Sequence, residues 1–229
     1  MRAPLSVVIP TLDAAARIGP CLAALAAALP SGLVREVVIA DGGSTDDIAM
    51  LADGTGARLI AAPKGRGPQL VAGADAATGP WLLFLHADTV LPTGWDRVVR
   101  HHIAEHAGQA GYFGLRFEAG EAMARVTGNW ANLRSVLFAL PYGDQGLLIS
   151  RKLYDAVGGH QPIPLMEDVA IVRTLGRRRL RRLDGAVITA PDRYRRDGWV
   201  RRGARNIGTL ALYFAGVAPE RLAERYHRR

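Results

Sequence analysis

The residues best placed for chemistry in this sequence of 229 residues are His86 and Asp88, which directly follow a short apolar run. The run, residues 81–85, is long enough for a β-strand and too short for a helix, and glycine and proline flank it. Such a run predicts a strand buried on both faces of a parallel sheet. Side chains two positions apart in a strand can point to the same side. An imidazole and a carboxylate at the strand's carboxyl end could hold a divalent metal, or Asp88 could simply cap a turn.

Two earlier apolar runs, at residues 5–9 and 36–40, predict further strands that also end in polar or turn-forming residues. The residues that follow them are Pro10, Thr11, Asp13 and Asp41. Polar groups gathered at the carboxyl ends of successive parallel strands form a crevice of the kind that binds nucleotides. Lys64 and Arg66 lie in a glycine-containing loop before a predicted helix, which suits phosphate binding and fits an ordinary basic turn equally well.

The elements that must position these groups alternate regularly in the first half of the chain. After the first strand, apolar residues at helical spacing predict a helix. Residues 58–61 predict a third strand. Residues 69–77 predict the helix that precedes the strand at residues 81–85. Strand and helix in alternation predict a parallel sheet with helices on both faces.

The second half of the sequence is less regular. Alternation at residues 113–117 predicts a strand with one buried face, and the helical spacing of Trp130 with its apolar neighbours predicts that it packs in the core. Glu167 and Asp168 begin another predicted helix, and a helical tail is expected from Trp199.

Composition limits the class of protein. Hydrophobic residues make up 49% of the chain, which is enough for a large core, and Cys21 is the single cysteine. No apolar run has the length of a membrane span and no leader is visible, so we expect a cytoplasmic protein.

Basic charge is concentrated in one segment. The formal net charge is +8, and residues 173–205 hold twelve arginines against three aspartates. This segment is either a solvated surface or a surface for phosphates or for peripheral contact with an anionic inner membrane. The arginines are not interleaved with aromatics in a pattern typical of nucleic-acid binding, so no nucleic-acid partner is predicted.

Four blocks in order resemble glycosyltransferase family 2, whose members are inverting enzymes of the GT-A fold. The blocks are Ser6–Thr11, Asp41–Asp46, His86-Ala87-Asp88 and Glu167-Asp168. The resemblance implies an α/β GT-A fold, Rossmann-like, with a mostly parallel sheet and helices on both faces. It also implies one domain over residues 1–229, with a nucleotide-binding half at about 1–95, an acceptor-side half at about 96–200 and a helical tail at 199–229.

The resemblance also assigns roles to individual residues. Asp168 is expected to be the catalytic base with Glu167 beside it, and Asp88 to hold Mn²⁺ or Mg²⁺. Asp144 and Gln145 are expected on the acceptor side, and Arg193 at the diphosphate. The residues expected to bind the donor nucleotide are Pro10, Thr11, Asp13, Asp41, Lys64, Arg66, His86 and Ala87.

The implied function is transfer of a sugar from a nucleotide-diphosphate sugar to the hydroxyl of an acceptor that the sequence does not identify. His86 stands where the family has the first aspartate of its D-x-D block, which weakens a two-carboxylate grip on metal. Two alternatives remain: a nucleotidyltransferase of similar fold, which also uses a nucleotide crevice and a metal, and a non-catalytic member that binds nucleotide, which His86 in place of aspartate favours.

Overall fold

The computed structural model describes residues 3–227, and one eight-stranded mixed sheet runs through them. The strands are β1 (Leu5–Thr11), β2 (Val34–Asp41), β3 (Arg58–Ala61), β4 (Trp81–Phe84), β5 (Thr89–Val90), β6 (Ala110–Phe117), β7 (Leu147–Ser150) and β8 (Leu180–Thr189). The helices are α1 (Ala15–Ala26), α2 (Ile48–Thr55), α3 (Arg66–Ala76), α4 (Trp95–Glu105), α5 (Ala122–Phe138), α6 (Arg151–Ala156), α7 (Glu167–Leu175), α8 (Asp192–Asp197), α9 (Trp199–Phe214) and α10 (Pro219–His227). The predicted domain includes residues 1, 2, 228 and 229, and the predicted helical tail includes the last two of these. These four residues lie outside the described range.

The strand order is β3-β2-β1-β4-β7-β6-β8-β5. The first four strands in this order are parallel, and β7 runs antiparallel to both β4 and β6. The predicted alternation of strands and helices is therefore confirmed up to β4. The carboxyl ends of β1, β2 and β4 share one edge of the sheet, and the polar residues that follow them meet there.

The inner parallel strands β1 and β4 are buried on both faces, as their continuous apolar sequences predict, whereas the edge strand β3 is largely exposed. In β1, Val7 and Ile9 pack into the core on one face of the sheet, and Val8 packs into the core on the other. In β4, Leu83 and Leu82 divide between the two cores in the same way. Helices cover both faces of this half of the sheet. The packed strands therefore hold the residues at their carboxyl ends in fixed positions.

Two predictions about the second half are wrong. Strand β6 is buried on both faces over residues 110–115, because Phe113 and Leu115 pack into the core on one face of the sheet and Ala110 packs into the core on the other. Trp130 does not pack in the core: its side chain is 45% exposed, and α5 instead buries small residues such as Ala124, Gly128 and Ala131 against β6.

Strand β8 carries part of the arginine-rich segment into the sheet, which the sequence did not predict. It pairs in parallel with β6 over most of its length and antiparallel with β5 at its end. The arginines at residues 177–182 consequently lie at its start, while those of residues 193–205 lie on α8 and α9. Within residues 3–227, no helix combines the length and apolarity required to cross a membrane.

Candidate active site

An open cavity of about 540 Å³, which we call the outer cavity, lies at the edge where β1 and β4 end. Its walls come from the loop after β1, the residues after β4 and the start of α3. The predicted donor and metal residues that line it are Pro10, Thr11, Asp13, Lys64, Arg66, His86, Ala87 and Asp88, together with Arg193.

Asp41 lies behind this lining and supports it. Its Oδ1 accepts a hydrogen bond from the hydroxyl of Thr11 at 3.0 Å, and its Oδ2 accepts the backbone N–H groups of Gly43 and Ser44 at 3.0 and 2.8 Å. Partial burial raises the pKa of Asp41, but hydrogen bonds from Ser44 and Thr11 outweigh burial and hold the pKa below its ordinary value. The ionised carboxylate therefore fixes the turn after β2 to the end of β1.

Asp13 ties the same two loops together from the other side. It has a left-handed backbone, with φ of 49°, and its Oδ1 accepts the backbone N–H of Thr45 at 2.8 Å. Its own N–H donates to the Ser44 hydroxyl at 2.8 Å. Asp46 completes the arrangement, because its Oδ2 accepts the N–H of Ala15 at the start of α1 at 2.7 Å. The predicted Asp41–Asp46 block thus shapes the rim of the outer cavity.

Gln69 is a site residue that sequence reasoning missed. It is buried on α3, lines the outer cavity, and donates its side-chain amide to the carbonyl oxygens of Ala40, at 2.8 Å, and Thr11. It therefore crosslinks the ends of β1 and β2. A glutamine near a helix start carries no sequence signal for this role.

A second cavity of about 140 Å³, the inner cavity, adjoins the first. The two share Arg66, His86, Asp88 and Arg193 in their walls. The inner cavity adds two carboxylates, Asp144 and Asp168, and three aromatic side chains, Phe117, Tyr142 and Tyr194, while Tyr226 lines both cavities.

Asp168 is held in place at the start of α7. Its Oδ2 accepts the backbone N–H of Gly143 at 2.9 Å and lies 3.8 Å from Nη2 of Arg66, while its Oδ1 accepts the N–H of Val169 at 2.8 Å. Burial raises the pKa of Asp168, but Arg66 and the two backbone N–H groups outweigh burial, so the pKa is lowered. Asp168 is ionised at neutral pH and faces the inner cavity.

Glu167 takes a different position from its neighbour. Its side chain is completely buried, it lines neither the outer nor the inner cavity, and its Oε1 accepts a hydrogen bond from Nε of Arg66. Burial raises the pKa of Glu167 even though Arg66 opposes the shift. The two predicted catalytic carboxylates are thus adjacent in sequence, but only Asp168 lines the inner cavity.

His86 stands at the boundary between the two cavities. Burial lowers its pKa to about 4, and the positive charge of Arg66 acts in the same direction. The backbone of Gly143 packs close to its ring, since a Cβ at position 143 would lie 2.8 Å from Nε2. A neutral imidazole can accept or donate one hydrogen bond, or offer a lone pair to a metal.

Asp88 is half-buried and lines both cavities. Within residues 3–227, its carboxylate forms no hydrogen bond or ion pair with another side chain, and no group of three or more His, Cys, Asp or Glu is arranged to enclose a metal ion. This arrangement fits Mg²⁺ or Mn²⁺ of the kind held by one or two protein groups and completed by substrate phosphates and water. Asp88, with His86 beside it, would hold such an ion.

The two predicted acceptor-side residues, Asp144 and Gln145, lie in different environments. Asp144 lines the inner cavity, its Oδ1 is buried without a hydrogen-bond partner in the described residues, and burial raises its pKa to about 6. Gln145 is completely buried and reaches no cavity wall. It accepts a hydrogen bond from the Ser135 hydroxyl at 2.6 Å and donates to the carbonyl of Phe113 at 3.0 Å, so it joins α5 to β6.

The C-terminal helices supply a wall that sequence reasoning missed apart from Arg193, which lies on α8. Asn206 of α9 donates to the hydroxyl of Tyr194 at 3.2 Å and accepts from the hydroxyl of Tyr226 at 3.2 Å. Arg202 donates to Tyr226 at 2.7 Å and to Asp197 at 2.6 Å. These residues carry no sequence signal, because they meet only after α8, α9 and α10 fold over the cavity.

Comparison with known proteins agrees with this geometry. Residues 6–138 match the family model described as "Glycosyl transferase family 2". Proteins named "PGL/p-HBAD biosynthesis glycosyltransferase" from Mycobacterium bovis and Mycobacterium tuberculosis are 35% identical over 170 residues, which cover 69% of this chain. The match spans 64% of the length of these relatives.

Solved structures show the same fold at lower identity. Glucosyl-3-phosphoglycerate synthase from Mycobacterium tuberculosis is 21% identical, with a TM-score of 0.58 over 82% of this chain and 70% of that one. TarS residues 1–349 from S. aureus are 20% identical, with a TM-score of 0.64 over 82% of this chain and 61% of that one. The fold is GT-A, and the chain belongs to glycosyl transferase family 2.

Proposed function

We propose that this protein transfers a sugar from a nucleoside-diphosphate sugar to an acceptor hydroxyl, with inversion at the anomeric carbon. The observation that carries the proposal is the junction of the two cavities. Asp88 faces both of them, and Asp168 faces the inner one close to Arg66, which faces both. A donor seated in the outer cavity would bring its scissile bond to this junction, opposite an acceptor in the inner cavity.

The outer cavity suits the donor because its charges match a nucleoside diphosphate. Lys64, Arg66 and Arg193 present cationic side chains, and α3 begins at Arg66, so its first backbone N–H groups are available to phosphate oxygens. The Thr11–Asp13 loop, held by the Asp41 network, offers polar groups to the base and ribose. Structures of the synthase contain UDP with Mn²⁺ or Mg²⁺, and a TarS structure contains UDP-GlcNAc, which supports UDP as the first nucleotide to test.

A divalent metal at Asp88 would neutralise charge on the leaving diphosphate. Asp88 is the only carboxylate that lines both cavities in the described residues, so it can reach the phosphate side without displacing the acceptor. His86 would orient the diphosphate or complete the metal site.

Asp168 is the proposed base. An ionised carboxylate within hydrogen-bond reach of the acceptor hydroxyl can remove its proton as the hydroxyl attacks the anomeric carbon. Its two backbone hydrogen bonds hold the side chain still, and Arg66 keeps it ionised. Glu167 is proposed to act through Arg66, as a positioning residue, because it lines neither the outer nor the inner cavity.

The two cavities also support a division of the chain. Residues up to about 95 would bind the donor, residues from about 96 to 200 would provide the acceptor side, and the helical tail would cover the inner cavity through Asn206 and Tyr226.

A binding and product assay tests the proposal. The protein is screened by thermal shift against UDP, GDP and dTDP with and without Mn²⁺ or Mg²⁺, since a ligand that binds the folded state alone raises its stability. The matching nucleotide-sugar is then incubated with the enzyme, and slow donor hydrolysis is followed. Release of nucleoside diphosphate and free sugar supports transfer. In a separate incubation with a nucleoside triphosphate and a sugar 1-phosphate, formation of nucleotide-sugar with release of pyrophosphate would indicate a nucleotidyltransferase. Binding without turnover in either incubation would indicate a non-catalytic member.

A further inference from the structure

Helix α5 exposes a regular apolar stripe on the protein surface. Its members recur at spacings of three and four residues and are 38–57% exposed: Met123, Val126, Trp130, Leu133 and Leu137. The same helix buries only small or hydrogen-bonded residues. A helix of this kind normally turns its large apolar residues inward. The large apolar side chains of α5 therefore face away from the sheet.

Helix α9 lies against α5 and repeats the pattern. Its outward residues are Val200, Ala204, Ile207, Ala211 and Phe214, all apolar and all exposed. Between the helices runs a groove of about 260 Å³, lined by Trp130 and Phe138 of α5 and by Ile207 and Phe214 of α9. The two stripes therefore flank one groove and form a single surface, the α5–α9 face. Contiguous apolar surface of this kind marks an interaction site.

The exposed charges on this surface are mainly basic. Residues 122–138 and 199–214 contain five arginines and no lysine, aspartate or glutamate, although Arg134 and Arg202 are buried. The acidic Glu121 at the start of α5 is paired with Arg195. At the end of the face, Arg177 donates to the carbonyl of Val136, at 2.8 Å, and to that of Leu137, and Arg173 lies 4.8 Å above the ring of Phe214. Arg125 and Arg201 are exposed on the two helices themselves.

We propose that the α5–α9 face docks on an anionic lipid bilayer. Leucine, valine, tryptophan and phenylalanine side chains would enter the boundary between headgroups and acyl chains, and the arginines at the rim would contact lipid phosphates. Helices that lie in this plane combine an apolar face with basic residues and aromatic anchors. A protein partner that covered this face would need acidic groups to match the rim, whereas an anionic membrane supplies phosphates at every point of contact.

The groove connects this surface with the inner cavity. Tyr142, Tyr194 and Asn206 line both. A protein docked in this way would hold the inner cavity next to the lipid headgroups. Membrane docking requires neither the sugar donor nor catalysis. An experiment on docking can therefore fail or succeed whatever the outcome for the proposed sugar transfer.

Vesicle binding tests the proposal. The full chain is sedimented with vesicles of phosphatidylcholine alone and of phosphatidylcholine with phosphatidylglycerol, at low salt and at about 0.5 M NaCl, where surface charges are screened within a few ångströms. We expect binding to the anionic vesicles at low salt, and a loss on the order of tenfold or more for the variant Val126→Gln/Leu133→Gln/Leu137→Gln. Arg173→Gln should weaken binding less and reduce its salt dependence.

Matched controls use side chains of the same type elsewhere on the surface. Met50→Gln changes an exposed apolar residue of α2, and Arg97→Gln changes an exposed arginine of α4. Both should bind vesicles as the unchanged protein does. Thermal melting establishes that each variant is folded, which is expected because every substituted side chain is exposed.

The depth to which the α5–α9 face enters the bilayer is measured separately, by fluorescence quenching with lipids brominated on the acyl chain. Trp130 should be quenched on binding, and Trp130→Phe should remove much of the quenching, because Trp81 and Trp95 are buried in the core and Trp199 of α9 is partly covered by Phe117 and Tyr194. Equal recovery in the supernatant with all vesicles overturns the proposal. A dimer in sedimentation velocity that the triple variant dissociates, without vesicle binding, would assign the face to a second copy of the chain instead.

Discussion

Nε of Arg66 donates to Oε1 of Glu167, a carboxylate with no exposed side-chain surface, while Nη2 of the same guanidinium lies 3.8 Å from Oδ2 of Asp168. One arginine from the start of α3 thus joins both residues of the Glu-Asp pair that begins α7. The guanidinium also lines both cavities. The buried carboxylate aligns Arg66, and Arg66 in turn sets the charge at the junction.

Breaking this pair should cost stability. Arg66→Gln leaves the completely buried carboxylate of Glu167 without its counter-charge, and removal of one partner of a buried ion pair typically costs roughly 3–5 kcal/mol. Urea denaturation should therefore show a drop in the free energy of unfolding of about 3 kcal/mol. Arg195→Gln is the control, because it breaks an exposed pair with Glu121 and should leave the free energy of unfolding nearly unchanged. Equal effects of the two changes would show that burial does not strengthen the Arg66–Glu167 contact.

Asp168→Asn should abolish most of the turnover. The amide keeps the shape of the side chain but cannot accept the acceptor's proton, and general base catalysis is worth about 10²–10⁴-fold. The kcat for donor hydrolysis should fall on that order, while donor affinity changes little because Asp168 does not line the outer cavity. The exposed Asp155→Asn serves as control.

Asp144 is the competing base, and pH separates the two residues. The pKa of Asp168 is lowered, so turnover that depends on it should persist well below pH 6, whereas the pKa of Asp144 is about 6. A rate that falls as the pH drops through 6, together with an unchanged rate for Asp168→Asn, would transfer the role to Asp144.

Asp88→Ala should remove the metal dependence of nucleotide-diphosphate binding. The carboxylate is the group through which a divalent ion would reach the diphosphate, so the thermal shift with nucleotide should no longer increase when Mn²⁺ is added. Asp53→Ala, an exposed aspartate on α2, should behave like the unchanged protein. A full metal-dependent shift in Asp88→Ala would rule out Asp88 as the ligand.

Asp144→Asn should stabilise the protein at high pH. Because burial raises the pKa of Asp144 to about 6, the folded state favours the protonated form, and this contribution is lost as the pH rises through 6. The asparagine stays neutral throughout, so the variant should gain roughly 1–3 kcal/mol over the unchanged protein at pH 8 and nearly nothing at pH 4. Denaturation at both pH values measures the difference. A constant difference between the two proteins would mean that Asp144 is ionised without penalty.

The donor side of the site could be predicted from the sequence because its signals are local. Strands β1, β2 and β4 are short apolar runs that end in polar residues, and topology places the carboxyl ends of parallel strands at one edge. Thr11, Asp13, His86 and Asp88 follow directly from those strand ends. The Asp41–Asp46 block also acts within its own turn and its nearest neighbour, so its residue types were informative.

Strand β8 and the face of α5 were not predictable in the same way. The arginines of residues 177–182 give no strand pattern in the sequence. Strand β8 forms there because it can pair in parallel with β6. The spacing of Trp130 and its neighbours predicted a helix correctly and its inward face wrongly, because periodicity shows that one face is apolar but not where that face points.

By itself, therefore, the sequence determined the GT-A alternation of strands and helices, the edge of the sheet that carries the donor site, and the family. The tertiary structure alone decided that Glu167 is buried while Asp168 is not, that Gln145 joins α5 to β6 while Asp144 faces the cavity, and that Asn206 and Tyr226 close the inner cavity. The physical reason is that burial and hydrogen-bond partners depend on contacts between residues far apart in sequence: Arg66 and Glu167 are separated by 101 positions.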